Sequence, residues 1–143
     1  MAFSFSGVEQ NSVAIDTDSG WPPLSTGECR EHRRIPEFYD ETVIGDALNR
    51  SVMEVQQQII RAVLTRRLPF EFAGDAPAFS VAQTSVYRTA VYSRTHAELV
   101  SYFSAVDQKD AGNDTEQVTA LQAHSNQSMR LLLGLGRAGV HAL

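Results

Sequence analysis

The chain has 143 residues, 43% of them hydrophobic and 20% charged, the make-up of one globular domain able to bury a core without disulfides or metal. A net charge of −5 excludes a general nucleic-acid binder, because phosphate contacts need a basic face that releases counterions. Cys29 is the only cysteine, and neither a signal-peptide pattern at Met1 to Gln10 nor a run of ~18 apolar residues occurs, so a soluble protein folding in a reducing cytosol is expected.

Residues 1–35 carry Ser, Gly, Asp and Thr with apolar residues at no sustained period, and read as an extended N-terminal arm. Pro22 and Pro23 impose extended geometry, which sets Trp21 on a stiff, non-helical segment. A lone Trp in a polar arm is expected to anchor that arm, either on the body of the protein or on a neighbour. Arg30, Arg33 and Arg34 form the main basic cluster, diluted by Glu28 and Glu31. Such a cluster is either solvated and paired locally or clamps onto an acidic neighbour.

A first long helix is expected after Asp40, a plausible N-cap, although Gly45 weakens the first turn and Asp46 could cap a later start. Ile44, Leu48, Val52, Val55, Ile59 and Val63 step by three or four and share one face. Pro69 stops this helix. The connection that follows holds Phe70, Phe72 and Phe79 among Gly74, Asp75 and Pro77, so its rings either cap the end of a bundle or face a partner.

The second helix is expected from about Val81 to Val106. It carries two apolar stripes, Ala82, Val86, Ala90, Ala97 and Val100 on one side and Tyr87, Val91, Leu99, Tyr102 and Val106 on the other, as suits a central helix with two neighbours. An acidic turn from Asp107 to Asp114 follows, with Gly112 and Asn113 suited to left-handed geometry and Asp114 to capping the next helix, with Gln117 at the capping-box position. The third helix is expected from Thr115 to about Leu133 through Val118, Leu121, Ser125, Met129 and Leu132. The fold class is therefore all-α, a three-to-four-helix bundle over residues 36–136 with an extended arm before it and a short extended tail, 137–143, after it. Gly134, Gly136 and Gly139 free that tail, which either frays or adds a strand or anchor to another chain.

Catalytic and metal patterns are incomplete. Cys29 and His32 are spaced as Cys-x-x-His, but His96, His124 and His141 lie on separate elements without paired spacing, short of a four-ligand zinc site. His96-Ala97-Glu98 lacks the Pro-Cys-x-x-Cys of a zinc deaminase. No Glu-x-x-His pair serves a di-iron bundle, no Gly-x-Ser-x-Gly elbow occurs, and Gly134-Leu-Gly-Arg-Ala-Gly139 follows a helix where a dinucleotide loop must open one. No catalytic residue, metal or cofactor is expected, and the chain reads as a non-enzyme. A small cytosolic helical regulatory or ligand-binding protein is the alternative class, which would need a concave apolar pocket.

In order along the chain stand Trp21-Pro22-Pro23-Leu24, Arg30-Glu-His-Arg33-Arg34-Ile35, Ala47-Leu48-Asn49-Arg50-Ser51-Val52, Phe72-Ala-Gly-Asp-Ala-Pro77, Val86-Tyr87-Arg88-Thr89-Ala90-Val91-Tyr92-Ser93-Arg94 and the Gly136-Arg137 tail. This order resembles the head completion proteins of contractile-tailed bacteriophages, which act as head-to-tail adaptors. Two departures are a Ser- and Gln-rich third helix and a tail ending in His-Ala-Leu. The resemblance implies a structural ring subunit in the head-tail neck of the virion, present in the host cytoplasm during assembly. It would bind the portal protein, complete and stabilise the DNA-filled head, and offer the attachment surface for tail or neck proteins.

Neighbouring copies would close a ring, about twelve in number, by cyclic symmetry. The resemblance puts portal binding on Gly136, Arg137, Gly139, Val140, His141, Ala142 and Leu143. Contacts between subunits would come from Trp21, Pro22, Pro23, Leu24, Arg30, Arg33 and Arg34. An acidic tip, Asp107, Asp110, Asp114 and Glu116, is either a solvated outer face or faces packaged double-stranded DNA that passes without sequence-specific binding, because like charge repels phosphate and lets a duplex slide. No membrane contact is implied.

Overall fold

The computed structural model describes residues 12–16, 18–66, 70–107 and 111–135. Its elements in chain order are β1 (Ala14–Ile15), β2 (Leu24–Ser25), α1 (Thr26–Arg33), α2 (Glu41–Arg66), β3 (Phe72–Ala73), β4 (Ala76–Pro77), α3 (Val81–Asp107) and α4 (Ala111–Leu135). The fold is all-α, with β1-β2 and β3-β4 as two small antiparallel ribbons.

The three long helices run up, down and up. Arg50 pairs with Glu98 and Arg94 with Glu54, which sets α2 antiparallel to α3, and Ser125 Oγ donates to the Ala90 carbonyl at 2.8 Å, which ties α4 to α3. α3 lies between the other two, packing most extensively on α4 and next on α2, while α2 and α4 barely touch. This is the central position that two apolar stripes require. Ile44, Leu48, Val52, Val55 and Ile59 are all buried and Val63 packs against them, so the α2 stripe is the core face. Leu121, Ser125, Met129 and Leu132 are buried along α4. On α3 the outermost positions depart from expectation, since Ala82 and Tyr102 are exposed. Tyr102 lies at the surface with its ring edge-on to Phe103.

Two expectations need correcting. α4 starts at Ala111, so Gly112, Asn113 and Asp114 belong to its first turn and not to a left-handed turn with a cap. First-turn N–H groups have no intrahelical acceptor in any case, a helical Gly costs only about 1 kcal/mol, and the acid of Asp114 suits the positive end of the helix dipole. The segment 1–35, read as extended throughout, contains the helix α1. Ser25 is its N-cap, with φ −151° and ψ 155°, and its Oγ accepts from the Glu28 N–H at 3.0 Å. Arg34 closes it in the left-handed region at φ 53°, its N–H donating to the Arg30 carbonyl.

Trp21 anchors this N-terminal hook on the body. It is buried, stacked on Tyr87 at 5.8 Å and edge-on to Phe79 at 6.0 Å, and Phe70 meets Phe79 at 5.7 Å. Gly20, at φ 90°, lets the chain turn into that site, where an added Cβ would come 3.3 Å from the Ala76 Cβ. Two of the three loop phenylalanines thus cover the bundle end, and Phe72 stays exposed.

Candidate assembly surfaces

α2 is apolar on two faces. Met53, Ile60 and Leu64, at steps of seven and four, lie about 130° around the helix from the core stripe at roughly 100° per residue. Met53 is 60% exposed and Leu64 74% exposed, with Ile60 at 37%. The β3-β4 hairpin adds to this face. Gly74 holds φ 76° at the first position of its two-residue loop, where only a residue without Cβ turns freely, and Phe72, 43% exposed, comes beside Ile60 and Leu64. Together with Val63, Gly74 and Asp75 these side chains line a shallow open groove of about 440 Å³. Asp46 continues the same outer face toward the N-terminal end of α2, and Arg61 borders it. Sequence reading recovered the core stripe and missed this second one, although its spacing was equally visible.

The second surface is the corner where α1 crosses the bundle. Tyr92 OH donates to Glu28 Oε1 and accepts from the Ser25 N–H, and Arg88 lies 3.7 Å from Glu28. Burial and then the hydrogen bond to Glu28 raise the Tyr92 phenol well above its ordinary value, so it stays a neutral donor. Arg30 is fully engaged inside the chain. Its Nε and Nη2 donate to Glu41 Oε1, Nη2 also to the Tyr39 carbonyl at 2.6 Å, and Nη1 to the Pro36 carbonyl, while Thr26 Oγ1 bonds the other Glu41 oxygen.

Arg33 behaves differently: its Nε donates to His96 Nδ1 at 3.4 Å, a neutral acceptor. Burial, then the Arg33 charge, push His96 down to about 4. His32 is lowered by burial, Arg33 and, more weakly, His124, and its ring sits 5.4 Å from Tyr92.

The residues expected at subunit contacts therefore divide. Trp21 and Leu24 are buried and Arg30 is bound to Glu41, so their apolar area and charge are already engaged within one chain. Pro23 and Arg34 are exposed, and Pro22 and Arg33 are half-buried. Of the acidic tip, Asp114 is half-buried and Glu116 exposed at the start of α4, Asp107 ends α3, and Asp110 lies outside the described residues. Glu37, Asp40 and Asp46 stand exposed at the same end of the bundle, a contribution the sequence reading did not collect because they are distant in the chain. Gly136, Arg137, Gly139, Val140, His141, Ala142 and Leu143 lie outside the described residues.

Little here suits bond-making chemistry. Cys29 is buried, and burial pushes its thiol up to about 12, far from a reactive thiolate. Among the described residues no three His, Cys, Asp or Glu side chains gather as a metal site, and no helix is long and apolar enough to cross a membrane.

The family model described as Phage head completion protein (GPL) matches residues 15–143. No curated protein and no solved structure matches the chain.

Proposed function

The chain belongs to the phage head completion protein family and is a structural protein of the phage head, and from that premise we propose that it is a non-enzymatic adaptor subunit of the head-tail neck. Copies form a ring on the portal, complete and stabilise the DNA-filled head, and present the surface to which tail or neck proteins attach. One observation carries this reading: α2 has an exposed apolar face besides its core face, in a protein whose family works in an assembled particle. Leaving Met53, Ile60, Leu64 and Phe72 in water forgoes the burial that stabilises the inner stripe, and a neighbouring copy seated on this face recovers it.

In this account the tail residues 136–143 engage the portal. α4 and α2 run in the same direction, so the chain leaves α4 at the hairpin end of the bundle. The opposite end carries Asp107, Asp114 and Glu116 with Glu37 and Asp40. Turned toward the channel, those acids repel phosphate and let duplex DNA pass without specific binding. The subunit assembles in the host cytoplasm and remains in the virion.

Sizing of the purified protein mixed with portal rings tests the reading. Full-length chain is expected to co-elute with the portal, and a chain lacking Val140 to Leu143 to stay apart from it. Equal association of both sinks the role of the tail. A monomer that ignores the portal at every concentration sinks the adaptor reading.

A further inference from the structure

Four arginines are half-buried among the described residues: Arg30, Arg33, Arg88 and Arg94. Three lie against carboxylates, Arg30 on Glu41 at 3.0 Å, Arg88 on Glu28 at 3.7 Å and Arg94 on Glu54 at 3.4 Å. Arg33 has none. Its one hydrogen bond among the described residues is the long contact to His96, which leaves the two terminal amino groups of the guanidinium without a protein acceptor and open to solvent. A cation partly removed from water without an anion is in an unfavourable state that an arriving carboxylate relieves. The surroundings add positive potential and little else. α3 contributes His96 and Tyr92, α4 contributes His124, and α1 contributes His32, the exposed Arg34 and the exposed Glu31, while Glu28 is held by Tyr92 and Arg88.

We propose that this corner receives carboxylates of a neighbouring copy, Asp46 and Glu37 at the N-terminal end of that copy's α2, and so forms the electrostatic half of the contact between subunits. The inference rests on the ring reading and names the surfaces that meet. Asp46 and Glu37 are exposed and have no cationic partner among the described residues. Asp46 shares the outer face of α2 with Met53, Ile60 and Leu64, so a neighbour that covers the apolar stripe also meets this charge. The corner lies on α1, α3 and α4, which makes the contact heterologous, the type that closes rings.

The heights agree as well. Arg50 pairs with Glu98, Asp46 lies four residues to one side of Arg50 and His96 two residues to the other side of Glu98, an offset of about 9 Å at roughly 1.5 Å per residue. The long side chain of Arg33 covers most of that offset. Because the contact is one of opposite charges, added salt weakens association.

Sedimentation velocity of the full chain, alone and with portal rings, tests this. Arg33→Glu alone and the Glu37→Lys/Asp46→Lys pair alone are each expected to weaken self-association about ten-fold or more, and an equimolar mixture of the two to restore it, since the reversed charges then meet across alternate contacts. Arg33→Gln replaces Arg33→Glu if circular dichroism shows the latter unfolded, and is expected to weaken association in the same direction. If Arg33→Glu rings form like wild type, or the mixture associates no better than its components, the proposal falls and the ring reading stands. If wild-type chain forms no oligomer with or without portal, both fall. Loss of binding to a short DNA duplex in Arg33→Glu, with self-association unchanged, would assign the corner to phosphate and overturn the proposal.

Discussion

The two faces of α2 carry the same kind of side chain and have opposite fates. Ile44, Leu48, Val55 and Ile59 are fully buried against α3 and the N-terminal hook, whereas Met53, Ile60 and Leu64, on another face of the same helix, are exposed, the last two beside Phe72. Hydrophobicity alone does not distinguish them, because both have helical spacing. What distinguishes them is the layered arrangement: α3 sits between α2 and α4, so each outer helix has one face covered by the chain itself and one left over. A fold of this shape is complete as a core and incomplete as a surface.

Substitutions that treat the faces separately sharpen or break that contrast. The largest effect is expected on the inner face: Ile59→Ala removes a fully buried side chain and should cost about 2–5 kcal/mol in urea unfolding. A loss below about 1 kcal/mol there would put the core stripe itself in question.

Acid titration should act next, and through the inner side of the bundle, since the outer face of α2 carries no histidine. His96 has a folded-state pKa of about 4 against an ordinary 6.5, so the unfolded chain binds more protons between those values. Its contribution is complete above pH 6.5 and is lost as pH falls toward 4. The denaturation midpoint should drop across that window, and His96→Asn should flatten the drop.

Ser51 and Ser93 are buried and their hydroxyls have no partner among the described residues. Ser51→Ala should therefore raise stability by about 0.5–1 kcal/mol, read from the thermal midpoint. Leu64→Ser should change monomer stability least, within about 0.5 kcal/mol, because little of the side chain is removed from water in one chain.

Much of this was legible from the sequence, and unevenly. Helical periodicity found α2, α3 and α4 because Ile44 to Val63 and Val118 to Leu132 repeat at the helical step and proline or glycine flanks them. It missed α1, although Ser25-Thr26-Gly27-Glu28 carries a capping-box spacing. Gly27 in the first turn and the Pro22-Pro23 pair upstream favoured an extended reading, and the helix is held by tertiary partners, Tyr92 and Arg88, that lie 60 or more residues away. The basic cluster was visible as three arginines. That Arg30 is closed off by Glu41 while Arg33 is left with a histidine depends on how α1 crosses the bundle, which no local pattern encodes.

The central claim is that the outer face of α2 is the surface buried between copies. Its most direct test is the mass of the complex formed on portal rings by the Met53→Ser/Leu64→Ser double variant, measured by sedimentation beside wild type at matched thermal stability. Wild type should saturate the portal as a closed ring, and the variant, still able to attach through its tail, should bind sparsely and without cooperativity. A variant that fills the ring as wild type does would contradict the account.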